Sequence, residues 1–172
     1  MSRLAAAPFN LPDETVLEFF PLDRLQSPIL RSAADYWRRI CGSRRFPSRE
    51  ELNPSGFSSA LRHMALVRVI DGGADFEYRI VGDSLAGAFS VPLQNCRLGA
   101  IATEAPSTVT VIGGVYRRCI QKGEPLALGG TTGRNAQNAM FTHFEALVLP
   151  LGAVEHVIDH LLTFMVCEAP RP

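Results

Sequence analysis

The chain is predicted to fold as an α+β domain, a single antiparallel sheet with helices packed on one face. Three observations predict it. Residues 64–71 and 75–82 are β-rich runs separated by Gly72-Gly73-Ala74, the pattern of a hairpin. Residues 106–122 carry Val109, Ile112, Tyr116 and Ile120 at three- and four-residue steps, the pattern of an amphipathic helix. Further β-rich runs at 126–132 and 140–149 follow that helix. Two strands, a helical crossover and two or three more strands, without repeats or a low-complexity linker, fit one layered unit.

The elements follow in chain order. Residues 1–26 carry Pro8, Pro12 and Pro21 around short apolar groups such as Leu17, Phe19 and Phe20. They read as an irregular arm whose apolar residues dock on the domain or on a second copy. Residues 27–167 read as the domain and 168–172 as a tail. Ser27-Pro28 is a helix start, a hydroxyl cap followed by proline at the first helical position. Ile29, Ala33, Tyr36, Trp37 and Ile40 then share one face, and Gly42 ends the helix. Residues 47–52 read as a short second turn closed by Asn53-Pro54. In the hairpin, Phe76, Tyr78 and Ile80 are expected on one face of the second strand, with Glu77 and Arg79 on the other. Residues 83–89 form a short helix and residues 90–103 wrap. Arg117, Arg118 and Lys122 sit near the C-terminal end of the long helix, where cations suit its dipole, and Gly123 stops it. Residues 134–138 are a polar loop. Residues 154–167 fit either a helix, through Val157, Ile158, Leu161, Leu162 and Met165, or a strand, and periodicity leaves both open.

Bulk properties exclude several function classes. The 172 residues allow one domain with a sizeable core. Seventeen basic residues balance seventeen acidic ones, so no general attraction to nucleic acid or an anionic membrane is expected. Cys41, Cys96, Cys119 and Cys167 form no CxxC pair, which argues against a disulfide scaffold or zinc knuckle. Reduced thiols, the lack of an apolar signal-peptide core in the N-terminal residues and the lack of a membrane-length apolar run predict a cytoplasmic protein.

Several short motifs suggest a family. They are Tyr36-Trp37, Arg45-Phe46-Pro47-Ser48-Arg49 and Asn53-Pro54, then Tyr78-Arg79-Ile80-Val81-Gly82, Glu145 and Leu149-Pro150-Leu151. In this order, from about Ser27 to Phe164, the chain resembles a PAS-like family of small bacterial proteins common in alphaproteobacteria. The resemblance implies a PAS-like five-stranded antiparallel sheet, preceded by the N-terminal arm and helix, with residues 157–166 as its last strand. It implies an apolar pocket between sheet and helices, and homodimers formed through the N-terminal region. Trp37, Arg49, Arg79, Gly82 and Glu145 are its motif residues. The resembling proteins carry a glycine-containing turn where this chain has residues 90–95, so no ligand carries across.

The chemistry-bearing residues each have a plainer role beside a functional one. Phe76, Tyr78, Ile80, Leu85, Phe89, Ile112, Tyr116, Phe141 and Phe144 lie on the elements that would enclose such a pocket, and either fill a core or line a cavity. Tyr78 or Tyr116 would orient a ligand there. Gly129-Gly130-Thr131-Thr132-Gly133-Arg134 could cradle an anion, but reads better as a strand and turn. Arg38, Arg39, Arg44, Arg45 and Arg49 form a basic cluster, read as a solvated helix end pairing with Glu50 and Glu51. Arg79 is expected to pair with a carboxylate such as Glu145. His156 and His160 could share a metal only on a helix, and no metal, haem or flavin signature surrounds any histidine.

The sequence therefore points to a non-catalytic sensory, ligand-binding or protein-interaction module. Its expected partners are a small molecule, a signalling protein and a second copy of itself. One alternative is a small cone-shaped α+β isomerase or dehydratase using Asp159 with His143. Another is a purely structural dimer built on the arm and the Trp37 helix.

Overall fold

The computed structural model describes residues 16–132 and 142–168. Phe141 and the polar loop at 134–138 lie outside the described residues. The strands are β1 (Val16–Phe20), β2 (Met64–Ile70), β3 (Asp75–Val81), β4 (Leu126–Thr131), β5 (His143–Leu151) and β6 (His160–Glu168). They form one antiparallel sheet in the order β1-β4-β5-β6-β2-β3. The helices are α1 (Pro28–Cys41), α2 (Asp83–Gly87) and α3 (Pro106–Lys122), with short 3-10 turns between.

The α+β class and antiparallel sheet agree with the sequence reading, but two details differ. The sheet has six strands because β1 comes from the segment read as an irregular arm. Its five residues pair with β4 across more than 100 positions, Val16 opposite Thr131, so its partner is not visible locally. Helices also cover both faces. Along β5, Leu147, Leu149 and Leu151 join a cluster under α1, while Val148 joins a second cluster under α3. Along β6, Leu162 and Phe164 face α1 and Leu161 faces α3. Such period-two alternation gives a strand two buried faces.

Helix α1 forms as its signals predict. Ser27 Oγ accepts from Leu30 N at 3.4 Å, Pro28 begins the helix, and Gly42 closes it at φ 60°. Its face of Leu30, Ala33, Ala34, Trp37 and Cys41 is buried. Trp37 Nε1 donates to Pro150 O at 3.0 Å, which fixes α1 to β5. Helix α3 spans the predicted residues and ends at Gly123 with φ 63°. A Cβ at Gly123 would also strike the Arg45 guanidinium. Arg45 donates to the Lys122 and Gly123 carbonyls at 2.9 and 3.3 Å, occupying the open carbonyl end of α3.

The last element is a strand, β6, preceded by a turn in which Val154 bridges Val157. It extends to Glu168, one residue past the expected domain boundary.

Strand β4 explains its own glycines. A side chain at Gly130 would strike the Val16 carbonyl, and the Phe20 ring would lie 3.2 Å from a Cβ at Gly129. These glycines let β1 lie close to β4. Gly129, Gly130 and Thr131 pair with β1 on one side and β5 on the other, so they are ladder residues rather than an anion cradle.

The β2–β3 ladder contains a bulge. Leu66 pairs with Ile80 and Val67 with Tyr78, leaving Arg79 as an extra residue. A bulge shifts the alternation by one position. Ile80, expected beside Phe76 and Tyr78, therefore shares the Leu66 face and is 51% exposed.

Candidate functional site

The α3 face of the sheet gathers most of the residues named as pocket candidates. Phe76 and Tyr78 enter from β3, Leu85 from α2 and Tyr116 from α3, all buried in one cluster. Phe89, Ile112 and Phe144 pack against it half-buried. Val91, Leu93, Leu98 and Ile101, from the connection between α2 and α3, complete it. Ile80 does not belong, for the reason given by the bulge, and Phe141 lies outside the described residues.

At the centre is a hydroxyl network. Tyr78 Oη and Tyr116 Oη are 2.9 Å apart and buried. Tyr116 also hydrogen-bonds Thr163, whose hydroxyl donates to Ala65 O at 3.4 Å. Thr163 is the only polar residue, tyrosines aside, in the buried class among the described residues. If Thr163 donates to Ala65 O, Tyr116 can donate to Thr163 and Tyr78 to Tyr116. All three protons are then used and Tyr78 Oη retains lone pairs. Reversing the two hydroxyl–hydroxyl bonds turns the Thr163 proton from Ala65 O to Tyr116 and leaves the Tyr78 proton free instead. The terminal hydroxyl can thus serve as acceptor or donor.

Burial pushes both phenols above their ordinary range. For Tyr78 it is the largest cause, followed by the neighbouring Tyr116. For Tyr116 burial dominates, partly offset by hydrogen bonds with Tyr78 and Thr163. Both stay neutral near pH 7 and act as hydrogen-bonding groups, not bases. The Phe76 and Tyr116 rings meet edge-on at 5.1 Å. Arg117 lies 5.7 Å over Phe76 and donates to Gly73 O at 3.0 Å, closing the hairpin end of the cluster.

The segment at 90–95, where the chain departs from the resembling proteins, closes the outer edge of β3. Tyr78 N donates to Cys96 O at 3.0 Å and Asn95 N to Tyr78 O at 2.9 Å. Beyond the bulge the Gln94 side chain takes over. It accepts from Val81 N at 2.9 Å and donates to Arg79 O at 2.7 Å. An amide side chain thus satisfies edge groups that would otherwise invite another strand.

Three of the motif residues, Trp37, Gly82 and Glu145, make contacts between elements. Trp37 anchors α1, and Arg49 begins the one-turn helix Arg49–Glu51, where Ser48 and Glu51 make a capping box. A Cβ at Gly82 would meet the Leu61 and Arg62 carbonyls, so glycine lets β3 run close to the preceding 3-10 segment. The expected Arg79–Glu145 pair does not form. Arg79 Nη1 lies 3.4 Å from Glu77, on its own strand. Both Glu145 oxygens instead accept main-chain N–H groups, Ser27 at 2.8 Å and Gln26 at 2.9 Å. Glu145 is on β5 under the start of α1, so the carboxylate meets the positive helix end.

The basic cluster divides among local partners. Arg44 forms a bidentate pair with Glu51 at 2.6 and 2.8 Å and donates to the Ile40 carbonyl. Arg38 lies 3.6 Å from Asp35, and Arg39 stacks over Tyr36.

Asp159 and His143 are not brought together as a catalytic pair. His143 pairs with Glu168 and His160 with Leu151, at opposite ends of the β5–β6 ladder. Eight residues of strand separate them by about 26 Å. Asp159 binds its neighbour His160 at 2.7 Å, a contact the sequence reading missed. His156 lies in the 154–157 turn, 3.6 Å from Glu155. The Thr163 and Gln94 contacts were missed as well. Only the tertiary pairing makes a strand threonine or a loop glutamine significant.

No helix among the described residues is long and apolar enough to cross a membrane. No curated protein and no solved structure matches the chain. A family model described as PAS domain matches residues 25–166, from the end of the 3-10 turn before α1 almost to the end of β6. With the β2–β3 hairpin, the crossing α3 and the antiparallel β4–β6 strands all inside that match, the chain belongs to the PAS domain family.

Proposed function

We propose that the chain is a non-catalytic sensory module. A small, largely apolar molecule binds on the α3 side of the sheet, and a change in contact with a signalling protein reports it. The Tyr78–Tyr116 hydroxyl pair, buried at 2.9 Å in an otherwise apolar cluster, carries this reading. Its terminal hydroxyl can turn to suit either a donor or an acceptor, as a binding group in an apolar site must. Native mass spectrometry of the purified chain tests it. A retained small molecule, lost or weakened in Tyr78→Phe, is the expected result. A chain that stays empty, together with a Tyr78→Phe variant that responds to a ligand panel as the parent does, would leave only protein interaction.

Two chains meeting through the N-terminal region form part of the same proposal. Strand β1 lies at one edge of the sheet, and Val16 is 62% exposed. Trp37 is committed to its own sheet, so α1 would offer a partner only its polar face. A chain lacking residues 1–20 should sediment as monomer where the full chain sediments as dimer. An unchanged dimer places the contact elsewhere.

A further inference from the structure

Three buried side-chain polar atoms among the described residues have no hydrogen-bond partner: Glu77 Oε2, His160 Nε2 and Arg118 Nε. Two of them belong to side chains held by an opposite or hydrogen-bonding group. Glu77 Oε2 lies 2.9 Å from Arg68 Nε, and His160 is held through Nδ1 by Asp159. Arg118 is different, because no carboxylate of the described residues forms an ion pair with it. Its guanidinium carbon lies 4.5 Å over the Phe19 ring. A ring face stabilises a cation through its quadrupole but gives the Nε–H no acceptor. The neighbouring Arg117, by contrast, donates its Nε–H to Gly73 O.

The surroundings of Arg118 are apolar. Phe19, under the guanidinium, and Leu17, two residues before it on β1, pack half-buried against the α3-side cluster. Position 114, one helical turn before Arg118 on the same flank, is glycine, so α3 adds no side chain there. A cation with an unmatched N–H beside apolar walls calls for an anion with an apolar body. A planar guanidinium matches a carboxylate through two parallel hydrogen bonds. One cation balances one negative charge; a dianion would leave a charge uncompensated, and a neutral head would leave the cation unpaired.

We propose that Arg118 anchors the carboxylate of an amphipathic monocarboxylic acid whose apolar body lies between α3 and the β1–β4–β5 strands. This rests on the reading that the α3 side of the sheet binds a small molecule and names its class; the contact lies towards the β1 edge, apart from Tyr78 on β3 at the other edge. Side-on pairing uses Nε–H, which is now inside the protein, so the guanidinium turns from its place over Phe19 as the acid enters.

The test uses the full chain with octanoate and 1-octanol as probes, followed by calorimetry and by the Arg118 Nε–H nitrogen-15 resonance. Octanoate should bind and shift that resonance. Arg118→Met should weaken octanoate about ten- to a hundred-fold, the range for a lost hydrogen bond to a charged group, and leave 1-octanol unchanged. Arg118→Lys should bind octanoate with intermediate affinity. Octanol binding as tightly as octanoate, or octanoate binding equally to parent and Arg118→Met, overturns the inference while leaving a ligand site in place. An Nε–H resonance of the parent chain unmoved at saturating octanoate overturns it without recourse to any variant. Neither probe binding, in a chain that also retains no molecule, overturns the sensory reading as well.

Discussion

At the scale of single residues, the buried hydroxyls decide how the α3-side core tolerates change. Tyr78→Phe removes the terminal hydroxyl but leaves Tyr116 its bond to Thr163. The cost should be about 1 kcal/mol in urea unfolding. Thr163→Val removes the link between Tyr116 and Ala65 O and should cost at least as much. In the double variant Tyr116 loses both partners, so the two effects should couple by about 0.5 kcal/mol or more; strict additivity would mean the three hydroxyls do not act together. Cys119 adds a pH dependence. Burial pushes its thiol from 9.0 up to about 12. Between those values the unfolded chain has lost the proton that the folded chain keeps, so rising pH favours unfolding. The stability is fully present below about pH 9 and is lost towards pH 12, with a limiting slope of about 1.4 kcal/mol per pH unit. Cys119→Val should remove part of the fall in urea midpoint between pH 9 and 10, and Cys167, whose thiol burial also pushes from 9.0 to about 12, should keep a further part of it. The tyrosines, raised from 10.0 upwards, should preserve a fall above pH 10.

At the scale of elements, the N-terminal strand and helix are fastened by contacts that can be released separately. Glu145 holds the Gln26 and Ser27 amides with a full carboxylate. Glu145→Gln replaces one acceptor with an NH2 group that faces an N–H. The loss should be about 1.5–3 kcal/mol, the range for hydrogen bonds to charged groups. Hydrogen exchange at the two amides should speed up, and unchanged protection there would contradict this role. Gly130→Ala acts on β1 instead, because its methyl meets the Val16 carbonyl. Exchange should rise across Val16–Phe20 while β2, β3 and β6 keep their protection. The edge strand that looked like an irregular arm would then separate from the five-stranded remainder.

At the scale of the whole molecule, one sheet serves two cores. Alternate residues of β5 and β6 face opposite layers, so neither layer can melt without exposing the other's floor. The single tryptophan, Trp37, reports the α1 layer. Tyr78 and Tyr116 report the α3 layer once Tyr36, the third tyrosine and part of the α1 layer, is replaced by phenylalanine. Urea transitions followed by Trp37 fluorescence and by tyrosine near-ultraviolet dichroism should coincide. Separate midpoints would show that α1 melts independently. Trp37→Ala, which loses a buried ring and the bond to Pro150, should lower both midpoints together, corresponding to a loss of about 3–5 kcal/mol of stability.

The sequence by itself determined the local elements and their class. Ser27-Pro28 and Gly42 bounded α1, Gly123 ended α3, and the glycine pair marked the β2–β3 hairpin, because caps and turns are properties of neighbouring residues. Phe76, Tyr78, Leu85 and Tyr116 were recognisable as buried because alternation and helical spacing are local too. What lies beyond neighbouring residues was decided by the tertiary structure. The bulge at Arg79 turned Ile80 out of the cluster, since an extra residue shows only against the partner strand. Strand β1 needed β4 before it could be a strand at all, and α1 needed the second face of the sheet. Glu145 found main-chain amides rather than Arg79, and Asp159 found His160 rather than His143, because charge alone does not specify distance. The helix and hairpin first read from the sequence hold their places in the PAS sheet, and long-range pairing alone decided which of their side chains meet.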